Sequence, residues 1–162
     1  MSTTSLVFDI EADNLYEDSS QVWCICTRCI ETDERKSFRP EEIQEALTYL
    51  GSASCLIGHN ILDYDLPVLE KLYGFTYDKR VVDTLVFSRL LNPDLLGGHS
   101  LDAWGKRLGV LKGTFGKDKE EDTIEVFSAF SEEMLKYCEQ DVEVTTALFE
   151  RLINEQHRIE GK

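Results

Sequence analysis

Asp9 and Glu11 stand two residues apart at the end of the apolar run 5–10. If that run is a strand, side chains at i and i+2 share a face, so the two carboxylates can ligate one hard cation. By itself the pair reads better as an ordinary solvated strand end. Tyr137 and Asp141 stand four apart in a stretch of helical periodicity and so share a helix face. Met134, Cys138, Thr145, Leu148 and Leu152 mark the apolar stripe of that helix, and Asp141 falls beside the stripe. An acid there needs a partner, because burying an unpaired charge is costly. A metal is one such partner; a basic side chain is another. Asp65 closes the segment Gly58-His59-Asn60-Ile61-Leu62-Asp63-Tyr64-Asp65. It lies just beyond the carboxyl end of an expected strand, where open α/β sheets usually place their sites. It could equally cap the helix starting at Leu66.

The elements that must position these groups can be read coarsely. Residues 5–10, 21–30 and 34–39 read as three strands, with the polar Glu31-Thr32-Asp33 as a turn. Pro40 opens a helix through Leu50, with Ile43, Ala46, Leu47 and Leu50 at helical spacing. A fourth strand runs over 54–57, a helix over 66–73 stopped by Gly74, and a short strand covers Val81 and Val82. Asp83 caps a helix through Leu91, and Ser100 caps another over 101–108, stopped by Gly109. Residues 92–98 and 110–122 read as loops, the second rich in glycine and lysine. Ser131 caps the last and longest helix, with Glu132 and Glu133 in its first turn. Early strands followed by mixed helices predict an α/β domain on one central sheet, with residues 1–162 as a single domain.

Composition limits the possible functions. The net charge is −14 and the pI is near 4.6, the wrong sign for a protein that grips nucleic acid by a broad basic surface. It weighs less against a nuclease, because bound divalent ions add positive charge at the site itself. No apolar run approaches the ~20 residues of a membrane span, and the N-terminus lacks the pattern of a signal peptide, so a cytoplasmic protein is expected. Five cysteines, an odd number, read as free thiols. Cys26 and Cys29 form a C-x-x-C, but no second pair supports zinc; Val22 to Cys26 reads better as a buried strand.

In order along the chain, these groups form D-x-E, then N-x-x-x-Y-D, then Y-x-x-x-D. This pattern resembles the three exonuclease motifs of the DnaQ-like, or DEDD, 3′→5′ exonuclease superfamily. Asp9 and Glu11 match the first motif, Asn60, Tyr64 and Asp65 the second, and Tyr137 and Asp141 the third. Tyrosine four residues before the last acid resembles the DEDDy branch. The other branch carries histidine five residues before it, where this chain has Lys136. The segments from Asp83 to Leu90 and from His99 to Gly109 are similar to the exonuclease domain of T-odd phage family A DNA polymerases. That similarity favours DNA over RNA and a phage-like source, although no polymerase domain accompanies it here.

The resemblance implies a ribonuclease H-like fold with a central mixed five-stranded sheet flanked by helices. It implies two divalent ions, Mg²⁺ or Mn²⁺, for which oxygen donors are suited. Asp9 would bridge both ions, Glu11 and Asp141 would complete the site of the attacking water, and Asp65 would serve the second ion. Tyr137 would orient that water; with an ordinary pKa near ~10 it is a poor proton acceptor at neutral pH. Leu15 would pack on the terminal base, and Asn60 would contact the nucleotide or merely close a turn. His59 and His99 read as structural. Between Trp104 and Lys119, five basic residues face one acid, Asp118, a net of +4 that leaves −18 for the remainder. With Phe115 among them, Lys112, Lys117 and Lys119 could hold the single strand that enters the site.

The expected activity is removal of nucleoside 5′-monophosphates from 3′ ends of single-stranded DNA, in the host cytoplasm if the source is a phage. An RNase D-type exoribonuclease is the alternative with the same motifs. A non-catalytic binding subunit with this fold is the alternative from another class. The acidic surface leaves room for a protein partner.

Overall fold

The computed structural model describes residues 3–113, 115 and 123–161. Five strands form one mixed sheet in the order β3-β2-β1-β4-β5, as the resemblance implied. They are β1 (Ser5–Ala12), β2 (Val22–Cys29), β3 (Arg35–Phe38), β4 (Cys55–Gly58) and β5 (Arg80–Asp83). β1 pairs antiparallel with β2 and parallel with β4; β2–β3 is antiparallel and β4–β5 parallel. The central strand β1 is thus paired on both edges over its first half.

The helices are α1 (Ile43–Ser52), α2 (Asp65–Tyr73), α3 (Thr84–Leu91), α4 (Leu101–Leu108), α5 (Thr123–Val126) and α6 (Glu132–Ile159). Alternation along β1 divides its side chains between two cores. Leu6, Phe8 and Ile10 face α1 and α2, where Ile43, Ala46, Leu47, Leu50, Val68 and Leu69 are buried with them. Val7 faces the other way, packing with Cys24, Cys26 and Ile57 against Met134, Leu135, Cys138 and Val142 of α6. Further along, α6 buries Val144, Leu148 and Leu152 against Leu101 and Trp104 of α4.

Several expectations shift. β1 runs on through Ala12, so Asp9 and Glu11 lie inside the strand rather than at its end. Continued pairing of Asp9 with Cys26 and Glu11 with Cys24 keeps the polar segment extended, until a bulge between Glu11 and Ala12. The segment opened by Pro40 starts as a 3₁₀ turn, Pro40–Glu42, before α1 begins. A short helix, α5, lies at Thr123–Val126 where none was expected. The C-x-x-C pair is split: Cys26 packs toward α6 and Cys29 toward the opposite core, so the two thiols cannot share a zinc ion. All five cysteines are free and buried.

Candidate active site

β1 and α6 together build one wall of the site. Asp9 and Glu11 share the β1 face that looks toward α6, and α6 presents Cys138 and Asp141 to them. One oxygen from Asp9, one from Glu11 and the Cys138 sulfur all lie within 4.8 Å of one another. The Cys138 thiol donates to the Asp9 carbonyl at 3.4 Å, fixing helix against strand. Asp141 is 5% exposed on the inner face of α6.

Asp65 enters from the third segment. It is the first residue of α2, not its cap; the cap position is Tyr64, which provides no side-chain cap. The Asp65 carboxylate instead accepts from the Ile10 backbone N–H at 3.2 Å, which ties α2 to the middle of the acid-bearing strand. Asn60 has a left-handed backbone (φ 64°) and closes the turn between β4 and α2. Its N–H and that of Leu62 donate to the two carboxylate oxygens of Asp83 at 2.9 and 3.0 Å. Asp83 also caps α3 through Leu85 N–H and Val86 N–H. A single aspartate therefore holds both the Asn60 turn and the next helix. Sequence spacing predicts only the capping role of Asp83, because it does not show which distant amides converge on a cap.

Among the described residues, the electrostatics are those of carboxylates gathered close together. Burial, then repulsion from Asp141, Glu11 and Asp65, holds Asp9 well above the ordinary carboxylate range. Burial and the same kind of repulsion, from Asp141 and Asp65, hold Glu11 well above it too. Burial pushes Asp65 up to about 8, against the stabilising backbone N–H of Ile10. Asp9 Oδ2 is buried with no hydrogen-bond partner among the described residues. Four oxygen donors, a buried carboxylate oxygen awaiting a partner and mutual repulsion are the conditions a hard divalent cation relieves. The residues present therefore fit a divalent metal ion, and Asp9, Glu11, Asp65 and Asp141 are the candidates to hold it.

Tyr137 stands one helical turn before Asp141. Burial raises its hydroxyl pKa and Asp141 adds to the effect, so the group is protonated at neutral pH. Its ring packs against Gly113, where a Cβ would approach Tyr137 Cδ2 to 3.0 Å. Phe115 lies 5.9 Å from the Tyr137 ring and 5.4 Å, edge-on, from Phe127. Leu15, 75% exposed, stands on the rim of a groove of about 560 Å³ that Glu11, Asn14, Tyr64 and Phe127 also line. Of the four acids Glu11 lines this groove, which is mainly apolar. Phe127 had no signal in the sequence; the Trp23 indole N–H, donating to its carbonyl at 2.8 Å, helps to place it.

The basic stretch looks different from its sequence. Lys112 turns inward, with its ammonium 3.5 Å from Asp141 Oδ2 and 5.1 Å from the Tyr137 ring centroid. Lys106 pairs with Asp102, and Arg107 lies over Trp104 while donating to the carbonyls of Leu96 and Gly98. Lys117 and Lys119 lie outside the described residues. His59 bonds Thr84 and His99 bonds Ser88 through their rings, which matches the structural reading of both.

With this geometry in hand, comparison with known proteins decides the family. The sequence model of the 3′-5′ exonuclease family matches residues 2–156. The chain belongs to the 3′-5′ exonuclease family. Its membership makes the chain a nuclease of the DnaQ-like group. The exonuclease is 33% identical to the DNA-directed DNA polymerase of Enterobacteria phage T3 over 94% of its own length. It spans only 27% of the length of the curated relatives it matches. Among solved structures, Brucella melitensis NrnC with bound Mg²⁺ superposes with a TM-score of 0.71 at 19% identity, over 98% of this chain and 76% of that one. Escherichia coli RNase D, an exoribonuclease, superposes with a TM-score of 0.68 at 13% identity, over 96% and 40%. These likenesses show the shared ribonuclease H-like fold. Exonucleases of this kind use divalent metal ions. No helix among the described residues is long and apolar enough to cross a membrane.

Proposed function

We propose that this exonuclease hydrolyses the terminal phosphodiester at the 3′ end of single-stranded DNA and releases nucleoside 5′-monophosphates. One observation carries the proposal. Acids from three separated segments, β1, the start of α2 and α6, lie close enough to repel one another, beside a groove that Glu11 lines and with a tyrosine one turn from Asp141. The 33% identity to a DNA polymerase supports DNA as the substrate.

In this reading Asp9, Glu11, Asp65 and Asp141 hold two divalent ions, Mg²⁺ or Mn²⁺. Bound there, the ions supply an acidified water and relief of charge on the leaving oxygen. The remaining work falls to the protein. Tyr137, protonated at neutral pH, donates a hydrogen bond that orients the attacking water. Leu15 and Phe127 sandwich the terminal base in the groove, excluding water from its faces. Tyr64 braces that rim, its hydroxyl donating to the Asn14 carbonyl at 2.7 Å. Asn60 shapes the turn that presents Asp65, and in this reading its side chain contacts the nucleotide. Lys117 contributes positive charge for the incoming strand. Lys112 reaches a phosphate only by leaving Asp141.

The whole of residues 1–162 acts as a single exonuclease domain in this reading, in the cytoplasm, which is the host's if a phage encodes it. The strongly acidic surface is the ground for a protein partner that guides the strand.

The test is product analysis on matched DNA and RNA oligonucleotides, single- and double-stranded, labelled at either end, with Mg²⁺, Mn²⁺ or EDTA. The expected result is stepwise shortening of single-stranded DNA from its 3′ end to 5′-monophosphates. Preference for RNA would replace the DNA reading with an RNase D-like one, and no cleavage under any condition would point to a non-catalytic subunit.

A further inference from the structure

Lys112 is the one basic side chain that the described residues bring into the acid cluster. Its ammonium is 3.5 Å from Asp141 Oδ2, and its side chain is 15% exposed. This placement is built, not incidental. The backbone on either side is held: Gln140 donates to the Leu111 carbonyl at 2.8 Å, and Gly113 packs against the Tyr137 ring. Upstream, the Val110 N–H donates to the Gly105 carbonyl at 3.0 Å, and Gly105 lets the Val110 carbonyl approach α4 so closely that a Cβ there would meet it at 2.7 Å. The chain is thus anchored to α4 and to α6, and the anchor directs the lysine inward.

Consider the charge balance. Asp9, Glu11, Asp65 and Asp141 converge, and among the described residues Lys112 is a cation whose field reaches Asp9 and Glu11 as well as Asp141. The ammonium sits 3.5 Å from a carboxylate oxygen and 5.1 Å from the face of the Tyr137 ring, contacts that compensate a cation held away from water. A divalent ion on Asp141 would carry twice that charge into the same space, and an ammonium a few ångströms away would repel it.

We propose that Lys112 is the built-in counter-cation of the metal-free site, held against Asp141 until a divalent ion displaces it. The lysine stabilises the acid cluster when no ion is bound and competes with the ion for Asp141. It is a positioning residue for the metal-free state and limits metal affinity. This inference rests on the metal-site reading given above.

The test compares wild-type protein with Lys112→Met, which keeps the length and loses the charge, and with Lys112→Arg, which keeps the charge. Mn²⁺ binding is measured by titration calorimetry and by the loss of the free-ion resonance, and melting temperatures are measured with EDTA and with Mn²⁺. The expected result for Lys112→Met is Mn²⁺ affinity raised about tenfold, as removal of one nearby like charge predicts. Its melting temperature in EDTA falls, and the gain on adding Mn²⁺ is larger than in wild type. Lys112→Arg stays near wild type in both. Lys112→Met with unchanged or weakened Mn²⁺ affinity, in a protein whose Mn²⁺-bound form is folded, overturns the inference and leaves the metal site standing. Failure of wild type and both variants alike to bind Mn²⁺ overturns the metal-site reading and the inference with it.

Discussion

Tyr137 and His59 show how burial sets the chemistry of single side chains. Burial and Asp141 raise the Tyr137 hydroxyl, so its proton stays on near neutral pH and it can donate a hydrogen bond but not act as a base. Tyr137→Phe should therefore bind Mn²⁺ as wild type does but turn over about 10²-fold more slowly, the usual cost of one well-placed donor; a kcat-against-metal-affinity comparison checks this. His59 is lowered to about 4, chiefly by burial, below its unfolded value near ~6.5. Protonation therefore favours the unfolded chain. The stability His59 contributes is complete above about 6.5 and drains as pH falls toward 4. His59→Gln should show a smaller loss of melting temperature between pH 7 and pH 5 than wild type, by about 5 °C. At this scale the shared faces of Asp9 with Glu11 and of Tyr137 with Asp141 were legible, because the i, i+2 and i, i+4 spacings carry geometry by themselves, whereas the tie between Asp65 and the Ile10 N–H was not. Nor was the role of Lys112, which reads as loop charge until its anchors on α4 and α6 are seen.

Two elements, β1 and α6, place most of the site, and two connections tune it. Gly105 allows the Val110 carbonyl to pass at a distance that any Cβ would obstruct. Gly105→Ala should cost about 1–3 kcal/mol by overpacking, read by denaturant melts, despite the better helix propensity of alanine. Asp83 collects backbone N–H groups from the Asn60 turn and from α3. Asp83→Ala should cost about 2–4 kcal/mol, since buried amides lose their acceptor. It should also weaken Mn²⁺ binding by loosening Asp65, which calorimetry would detect. The strand-and-helix order was readable from periodicity and caps: Ser131 does cap α6, accepting from Met134 N–H, and Ser100 does cap α4. The extension of β1 through Glu11 was not readable, because pairing with β2 keeps a polar segment extended that its composition alone would release. α5 was missed because four residues are too few to show a period.

At the scale of the molecule, a net charge of −14 sits beside a site that should take a polyanion. The described cations do little to offset it. Arg28 and Arg35 are bound to Glu143, Arg39 to Glu132, Lys106 to Asp102 and Lys112 to Asp141. The pairs to Glu143 and Glu132 tie β2, β3 and Arg39 to α6, so these described cations are already engaged with acids of the chain itself. Single-stranded DNA should therefore bind weakly in EDTA, and added Mg²⁺ or Mn²⁺ should strengthen binding more than lowered salt does. The dependence of log K on log salt should stay shallower than about −2, as expected for few direct phosphate contacts; fluorescence anisotropy measures it. The account as a whole depends on the convergent acids being a divalent-metal hydrolytic site that works from the 3′ end. The most direct measurement is a time course with 5′-labelled single-stranded DNA on a denaturing gel, comparing wild type with Asp9→Ala in Mg²⁺. Wild type should give a ladder that shortens one nucleotide at a time, abolished by EDTA, and Asp9→Ala should be slower by at least about 10³-fold. Undiminished cleavage in EDTA or by Asp9→Ala, or release of the 5′ label as the first product, would contradict it.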